Sequence, residues 1–190
     1  MSECFPGSSY DERDCEPMFS GSQVTKMRYS YQDIHTLVKM GAREFEKLDF
    51  VPDYMLAIGG GGFIPARMLR THLDVPILAF SVSYYAKHAH EPSREPTIVQ
   101  SVDLELLRGK NILIVDEVDD TRTTLAWVLK KLQTELERTG DAESAPTRFA
   151  VLVVHNKQKP KNGTLNPDVP YVACESTPGN VWIEYPWDVV

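Results

Sequence analysis

Apolar residues recur at helical spacing in two stretches of the chain. Ile34, Leu37, Val38 and Phe45 fall on one stripe with Gly41, and Leu125, Val128, Leu129, Leu132 and Leu136 repeat the pattern. The spacing predicts helices over 31–48 and 124–136. Ser30 stands where an N-cap belongs, and Asp33 adds negative charge to the first turn. Continuous apolar runs predict strands at 54–58, 76–85, 111–115 and 149–154. A run apolar on both faces, such as 111–115, suits the centre of a parallel sheet. A third helix, 64–70 with Pro65 near its start, follows the first run through four glycines. Strands alternating with helices predict an α/β fold, a mostly parallel sheet flanked by helices.

The remaining stretches are polar. Residues 1–24 carry Ser, Gly, Pro and charge without a period and are expected to form a mobile leader. Residues 86–97, with His88, His90, Pro92 and Pro96, are expected to form a long loop of the kind that serves as a lid. A linker is expected at 139–147. Residues 156–190 hold many Pro, Gly and Asn and only short extended runs, which predicts a small C-terminal hood. One domain over 25–190, hood included, is the expectation.

Composition narrows the function. The chain has 190 residues, 42% of them hydrophobic, enough for one sizeable core. No run approaches the roughly 18 apolar residues of a membrane span. The net charge of −7 disfavours nucleic acid as a partner, because phosphate contacts need clustered Lys and Arg. Cys4, Cys15 and Cys174 offer neither a disulfide framework nor a CxxC site. No basic-then-apolar leader is present at the start, so the cytosol is the expected compartment.

Two loops that follow predicted strands carry unusual chemistry. Gly59, Gly60, Gly61 and Gly62 remove every Cβ ahead of a helix N-terminus. Backbone N–H groups there can approach a phosphate or pyrophosphate; the plainer reading is a flexible turn. The second loop is Asp116-Glu117-Val118-Asp119-Asp120-Thr121-Arg122-Thr123-Thr124. Its four carboxylates repel one another unless something compensates. Asp116 and Glu117 can accept hydrogen bonds from vicinal hydroxyls or share a hard divalent cation. The threonines at a helix N-terminus can nest a monoester phosphate. A ribose 5-phosphate satisfies both halves; the plainer reading is an acid-rich helix start capped by Thr121 or Thr123.

The stretch from Ile112 to Leu125 resembles the PRPP-binding motif of the type I phosphoribosyltransferases, in which aliphatics lead to two acids, two variable positions and Asp-Thr-Gly-x-Thr. Trp182-Ile183-Glu184-Tyr185-Pro186-Trp187-Asp188 is similar to the purine-binding end of the 6-oxopurine members, most closely the bacterial xanthine–guanine enzymes. The resemblance runs from about residue 29 to the C-terminus. It implies transfer of the 5-phosphoribosyl group from PRPP to hypoxanthine, guanine or xanthine, giving a purine nucleoside monophosphate and pyrophosphate, with Mg²⁺ as cofactor and a homodimer as the assembly.

The resemblance also implies roles. Asp116 and Glu117 would hold the ribose hydroxyls with Mg²⁺ close by and Asp188 as a further metal residue. Asp120 would be the general base near purine N7. Thr121, Arg122, Thr123 and Thr124 would wrap the 5-phosphate. Gly59, Gly60 and Gly61 would form the pyrophosphate loop, where a non-proline cis peptide is usual. Lys157, with Lys159 as the alternative, would read the 6-oxo group. Trp182 would stack on the base, Ile183 would offer backbone groups at its 2-position side, and residues 83–97 would close over the site.

Two positions depart from the family pattern: Arg122 replaces a usual Gly, and Gly60 replaces a frequent Lys or Arg. Taken without the family, Trp182 and Trp187 read as edge-strand packing, Lys157 and Lys159 as loop lysines, His35 as structural and Cys174 as a small buried hydrophobe. The rival functions are a non-catalytic regulator of the same fold that senses PRPP or nucleotide, and a Mg²⁺-dependent phosphohydrolase. The second leaves the threonines and the C-terminal aromatics unexplained.

Overall fold

The computed structural model describes residues 25–85, 92–139 and 145–188. The expected leader, His88, His90 and most of the expected linker lie outside them. In chain order the elements are β1 (Lys26–Arg28), α1 (Tyr31–Phe45), β2 (Tyr54–Gly59), α2 (Phe63–Leu73), β3 (Ile77–Tyr85) and β4 (Pro92–Gln100), followed by β5 (Asn111–Asp119), α3 (Thr123–Thr139), β6 (Arg148–Gln158), β7 (Tyr171–Pro178) and β8 (Trp182–Glu184).

The main sheet has the order β4-β3-β2-β5-β6-β7 and is parallel except for the antiparallel β3–β4 pair. Alternation along the central strands builds one core on each face. Met55, Ala57, Leu113 and Val115 pack with α1 and α2. Leu56, Ile58, Ile112 and Ile114 pack with α3. The double coverage explains why these strands are apolar at every position. From β2 the chain passes outward to β3 and later returns to β5 on the other side. The ends of β2 and β5 therefore flank a topological switch point, where open α/β sheets form a crevice.

The α1 cap forms as expected. Ser30 Oγ accepts from the Asp33 N–H at 3.2 Å, and Asp33 Oδ2 accepts from the Ser30 N–H at 2.8 Å. The helix ends at Phe45, earlier than the periodicity predicts.

Three expectations are corrected. Residues 92–97, expected in a loop, belong to β4. Proline removes a ladder donor, so Pro92 and Pro96 argue against a strand, yet β4 is the sheet's edge, where proline is tolerated. Strand β5 runs past Val115 through the acids to Asp119, because β6 pairs with it as far as Asp119↔Asn156. The 156–190 region is not wholly a hood. Its Tyr171–Pro178 segment is the far edge strand β7 of the main sheet, and only β8 leaves it, to form a two-stranded parallel sheet with β1. Lys26 and Arg28 ion-pair with Glu184 across that small sheet.

Candidate active site

The glycine loop and the acidic strand end meet at the switch point. One cleft of about 330 Å³ is lined by Gly59, Gly60 and Gly61 on one side and by Asp116 through Thr124 on the other. The Gly59–Gly60 peptide is cis, as the family resemblance implies. Three of the four glycines are needed for close approach. A Cβ on Gly59 would lie 2.2 Å from Ser81 Oγ, one on Gly61 within 2.1 Å of the Glu117 carboxylate, and one on Gly62 2.5 Å from the Val115 carbonyl. Gly60 faces open space.

The four carboxylates divide into two kinds. Asp119 is buried, 2% exposed, and accepts from Arg122 Nη2 at 2.7 Å, Arg122 Nε at 2.8 Å and the Tyr171 hydroxyl at 2.9 Å, with Lys161 Nζ 3.4 Å away. Asp120 pairs with Lys159 at 2.5 Å and Lys157 at 3.3 Å. Partial burial works to raise the Asp120 pKa, but the Lys159 hydrogen bond and both ammonium charges outweigh it and hold the carboxyl below its usual range. Among the described residues no Lys or Arg ion-pairs with Asp116 or Glu117. Burial, and the neighbouring Glu117 charge after it, push Asp116 well above the usual carboxylate range. Glu117 Oε2 is buried and has no hydrogen-bond partner among the described residues.

Arg122 takes a left-handed backbone, φ 64°, which accounts for the glycine usual at this position. Its guanidinium turns to Asp119 and lies 5.0 Å from the Tyr171 ring centroid. Its side chain thus supports the loop at the rim of the cleft. Thr121 and Thr123 share a hydroxyl hydrogen bond of 2.9 Å at the start of α3.

The C-terminal segment sits differently. Trp182, Ile183 and Asp188 do not line the first cleft; with Arg28 to Tyr31 they border a second, mostly apolar cavity of about 800 Å³. Trp182 is 59% exposed, whereas Ile183 packs into the core. No three His, Cys, Asp or Glu side chains among the described residues form a metal cluster, and Asp188 borders the second cavity while Asp116 and Glu117 line the first. The reason is topological: Asp188 follows the small β1–β8 sheet rather than the crevice. The two regions are still tied together. The Tyr185 hydroxyl donates to the Glu117 carbonyl at 2.9 Å and lies 2.8 Å from His155 Nδ1, while His155 Nε2 is 3.2 Å from Glu175. Tyr29 donates to the same Glu175 oxygen at 2.7 Å.

Several of these groups had no assigned role in the sequence. Asp119 was visible only as one acid of four. Lys161 continues the alternation of Lys157 and Lys159, and that spacing is the one signal for it. Tyr171 and His155 meet their partners only through the fold. Cys174 behaves as a small hydrophobe, with burial pushing its thiol up to about 12.

A family model described as the phosphoribosyl transferase domain matches residues 20–189. The chain is 43% identical over 188 residues to hypoxanthine-guanine phosphoribosyltransferase of Schizosaccharomyces pombe, covering 86% of this chain and 89% of that protein. It is 35% identical over 188 residues to xanthine phosphoribosyltransferase 1 of Saccharomyces cerevisiae, covering 86% and 90%. Among solved structures it is similar to a protein of Neisseria gonorrhoeae with bound ppGpp, with a TM-score of 0.75, 39% identity and coverage of 90% and 93%.

Two predictions follow from the unpaired acids. A carboxyl whose folded pKa is raised retains its proton as the unfolded chain loses it, so stability falls as pH rises above the unfolded value of about 4. Asp116→Asn should therefore melt higher than the parent at pH 7, with a smaller advantage at pH 4; an equal or lower melting temperature at pH 7 contradicts the burial argument. Gly61→Ala should displace Glu117 and destabilise the fold by more than about 1 kcal/mol by urea denaturation, whereas Gly60→Ala should leave it within about 0.5 kcal/mol of the parent. Equal behaviour of the two variants contradicts the packing described.

Proposed function

The chain belongs to the phosphoribosyl transferase family, and we infer from that membership and the cleft that it is a purine salvage enzyme, moving the 5-phosphoribosyl group of PRPP onto a 6-oxopurine with release of pyrophosphate. The observation that carries the reading is the convergence of Gly59–Gly61, Asp116, Glu117 and Thr121–Thr124 on one cleft. The regulator weighed from the sequence finds no support in the matched relatives, both named for the transferase.

The proposed division of labour follows from each group's chemistry. Asp116 and Glu117 accept hydrogen bonds from the ribose hydroxyls. The first-turn N–H groups of α3, which have no intrahelical partners, hold the 5-phosphate together with the threonine hydroxyls. Backbone N–H groups of Gly59–Gly61 hold the pyrophosphate. Lys157 and Asp120 set a donor beside an acceptor, the complement of O6 and a protonated N7 on one edge of an oxo-purine. A 6-amino purine would bring a donor to the lysine, which selects against it. Lys159, also on Asp120, remains the alternative reader. As the bond from C1 to pyrophosphate breaks and the purine nitrogen bonds to C1, the purine's proton passes to Asp120. Trp182 offers a stacking face and Ile183 its backbone, on a segment that Tyr185 ties to the Glu117 carbonyl.

Mg²⁺ is the proposed cofactor. Two adjacent carboxylates without cationic partners among the described residues, one with a buried oxygen that accepts no hydrogen bond from them, suit an ion that takes one or two protein carboxylates and completes its shell with water and substrate oxygens. When bound, it would neutralise charge on the departing pyrophosphate. Asp188 is proposed for the purine end rather than this pair. A homodimer and the cytosol are the proposed assembly and setting; no helix among the described residues is long and apolar enough to cross a membrane.

Purified protein given PRPP, Mg²⁺ and each base in turn should release pyrophosphate with hypoxanthine, guanine or xanthine and not with adenine. Turnover of adenine alone, or of no base, overturns the reading. Asp120→Asn should lower kcat far more than it raises the KM for PRPP; a loss shared equally by both contradicts the base assignment.

A further inference from the structure

A turn that presents its N–H groups to an anion must keep its carbonyls away from that anion, since their partial negative charge repels it. In the 119–122 turn, four consecutive carbonyls are occupied. Lys161 Nζ donates to the Asp119 carbonyl at 2.7 Å and to the Asp120 carbonyl at 2.9 Å. The Thr121 carbonyl accepts from the Asn162 N–H at 2.9 Å and the Gly163 N–H at 3.4 Å. The Arg122 carbonyl accepts from the Ala126 N–H at 3.0 Å, the first helical bond of α3. Residues 161–163 thus supply the donors for three of the four.

The contact is built for closeness. A Cβ on Gly163 would lie 2.6 Å from the Arg122 carbonyl oxygen and 2.6 Å from Ala126 Cβ. The Lys161 ammonium is largely shielded, and it sits 3.4 Å from the buried Asp119 carboxylate that also holds the Arg122 guanidinium. One lysine therefore links the carbonyls of the turn to the carboxylate that anchors the turn's left-handed residue.

We infer that Lys161 is a positioning residue for the phosphate turn, clasping it from outside through residues 161–163 so that affinity for the 5-phosphate end of PRPP depends on a side chain that does not line the cleft. The inference rests on the assignment of Thr121–Thr124 to that phosphate. Removing the ammonium leaves the Asp119 and Asp120 carbonyls without their donor, and the turn is then free to rotate them toward the anion. The glycine loop, which holds the other end of PRPP, is untouched.

The test compares wild type with Lys161→Met, Lys161→Arg and Gly163→Ala in the full chain. Lys161→Met should raise the KM for PRPP about tenfold while kcat and the KM for the purine stay within about twofold. Calorimetric binding of ribose 5-phosphate should weaken in parallel, and binding of pyrophosphate should not. Lys161→Arg, which can donate to both carbonyls, should restore most of the loss. Gly163→Ala, with the lysine intact, should raise the PRPP KM in the same direction. An unchanged PRPP KM in Lys161→Met overturns the inference, as does a uniform decline of both ligands and the melting temperature, which would mark a merely structural role. Failure of the wild type to bind ribose 5-phosphate overturns the phosphate assignment itself.

Discussion

Four carboxylates at the end of one strand cannot all stand unneutralised, and their division shapes the site. Arg122 and Lys161 attend to Asp119, and Lys157 and Lys159 attend to Asp120. Asp116 and Glu117 have no such cation among the described residues, and burial resists the ionisation of Asp116. The charge left over is therefore localised beside the glycine loop, where a sugar's hydroxyls and a divalent cation would relieve it. That localised charge is an electrostatic cost carried by the fold, which binding as proposed would relieve.

The other half of the arrangement is mechanical. β5 and β6 run in register to Asp119↔Asn156, so the acids are strand residues and not a loose loop. The lysines of the β6 end then reach back across that register to the acids. On the opposite side Tyr185 and His155 fasten the C-terminal segment to the Glu117 carbonyl, and Glu175 and Tyr29 extend the fastening to the residues flanking β1. The Asp116–Glu117 pair and the aromatic segment are thereby parts of one hydrogen-bonded unit, although they border different cavities.

Local physics made much of this legible. The helical stripes, the Ser30–Asp33 cap and the apolar central strands are short-range patterns, and each is present, with shifts only at element ends. The glycine loop and the Asp116–Thr124 run were recognisable because their composition is costly without a ligand. What sequence hid was long-range. β4 was masked by prolines that an edge position tolerates, and the continuation of β5 by acids that only its neighbour β6 keeps extended. Segment 171–178 reads as hood until β6 recruits it into the sheet. The pairing of Asp119 with Tyr171 spans 52 positions, and no periodicity carries such information.

The most direct measurement is a crystal structure of the protein with a purine nucleoside monophosphate. The account requires the 5-phosphate on the backbone of Thr121–Thr124, the ribose hydroxyls on Asp116 and Glu117, and the base with O6 at Lys157 or Lys159 and one face against Trp182. A nucleotide whose phosphate and ribose occupy the cavity beside Arg28 to Tyr31, leaving Asp116 and Glu117 untouched, would contradict it.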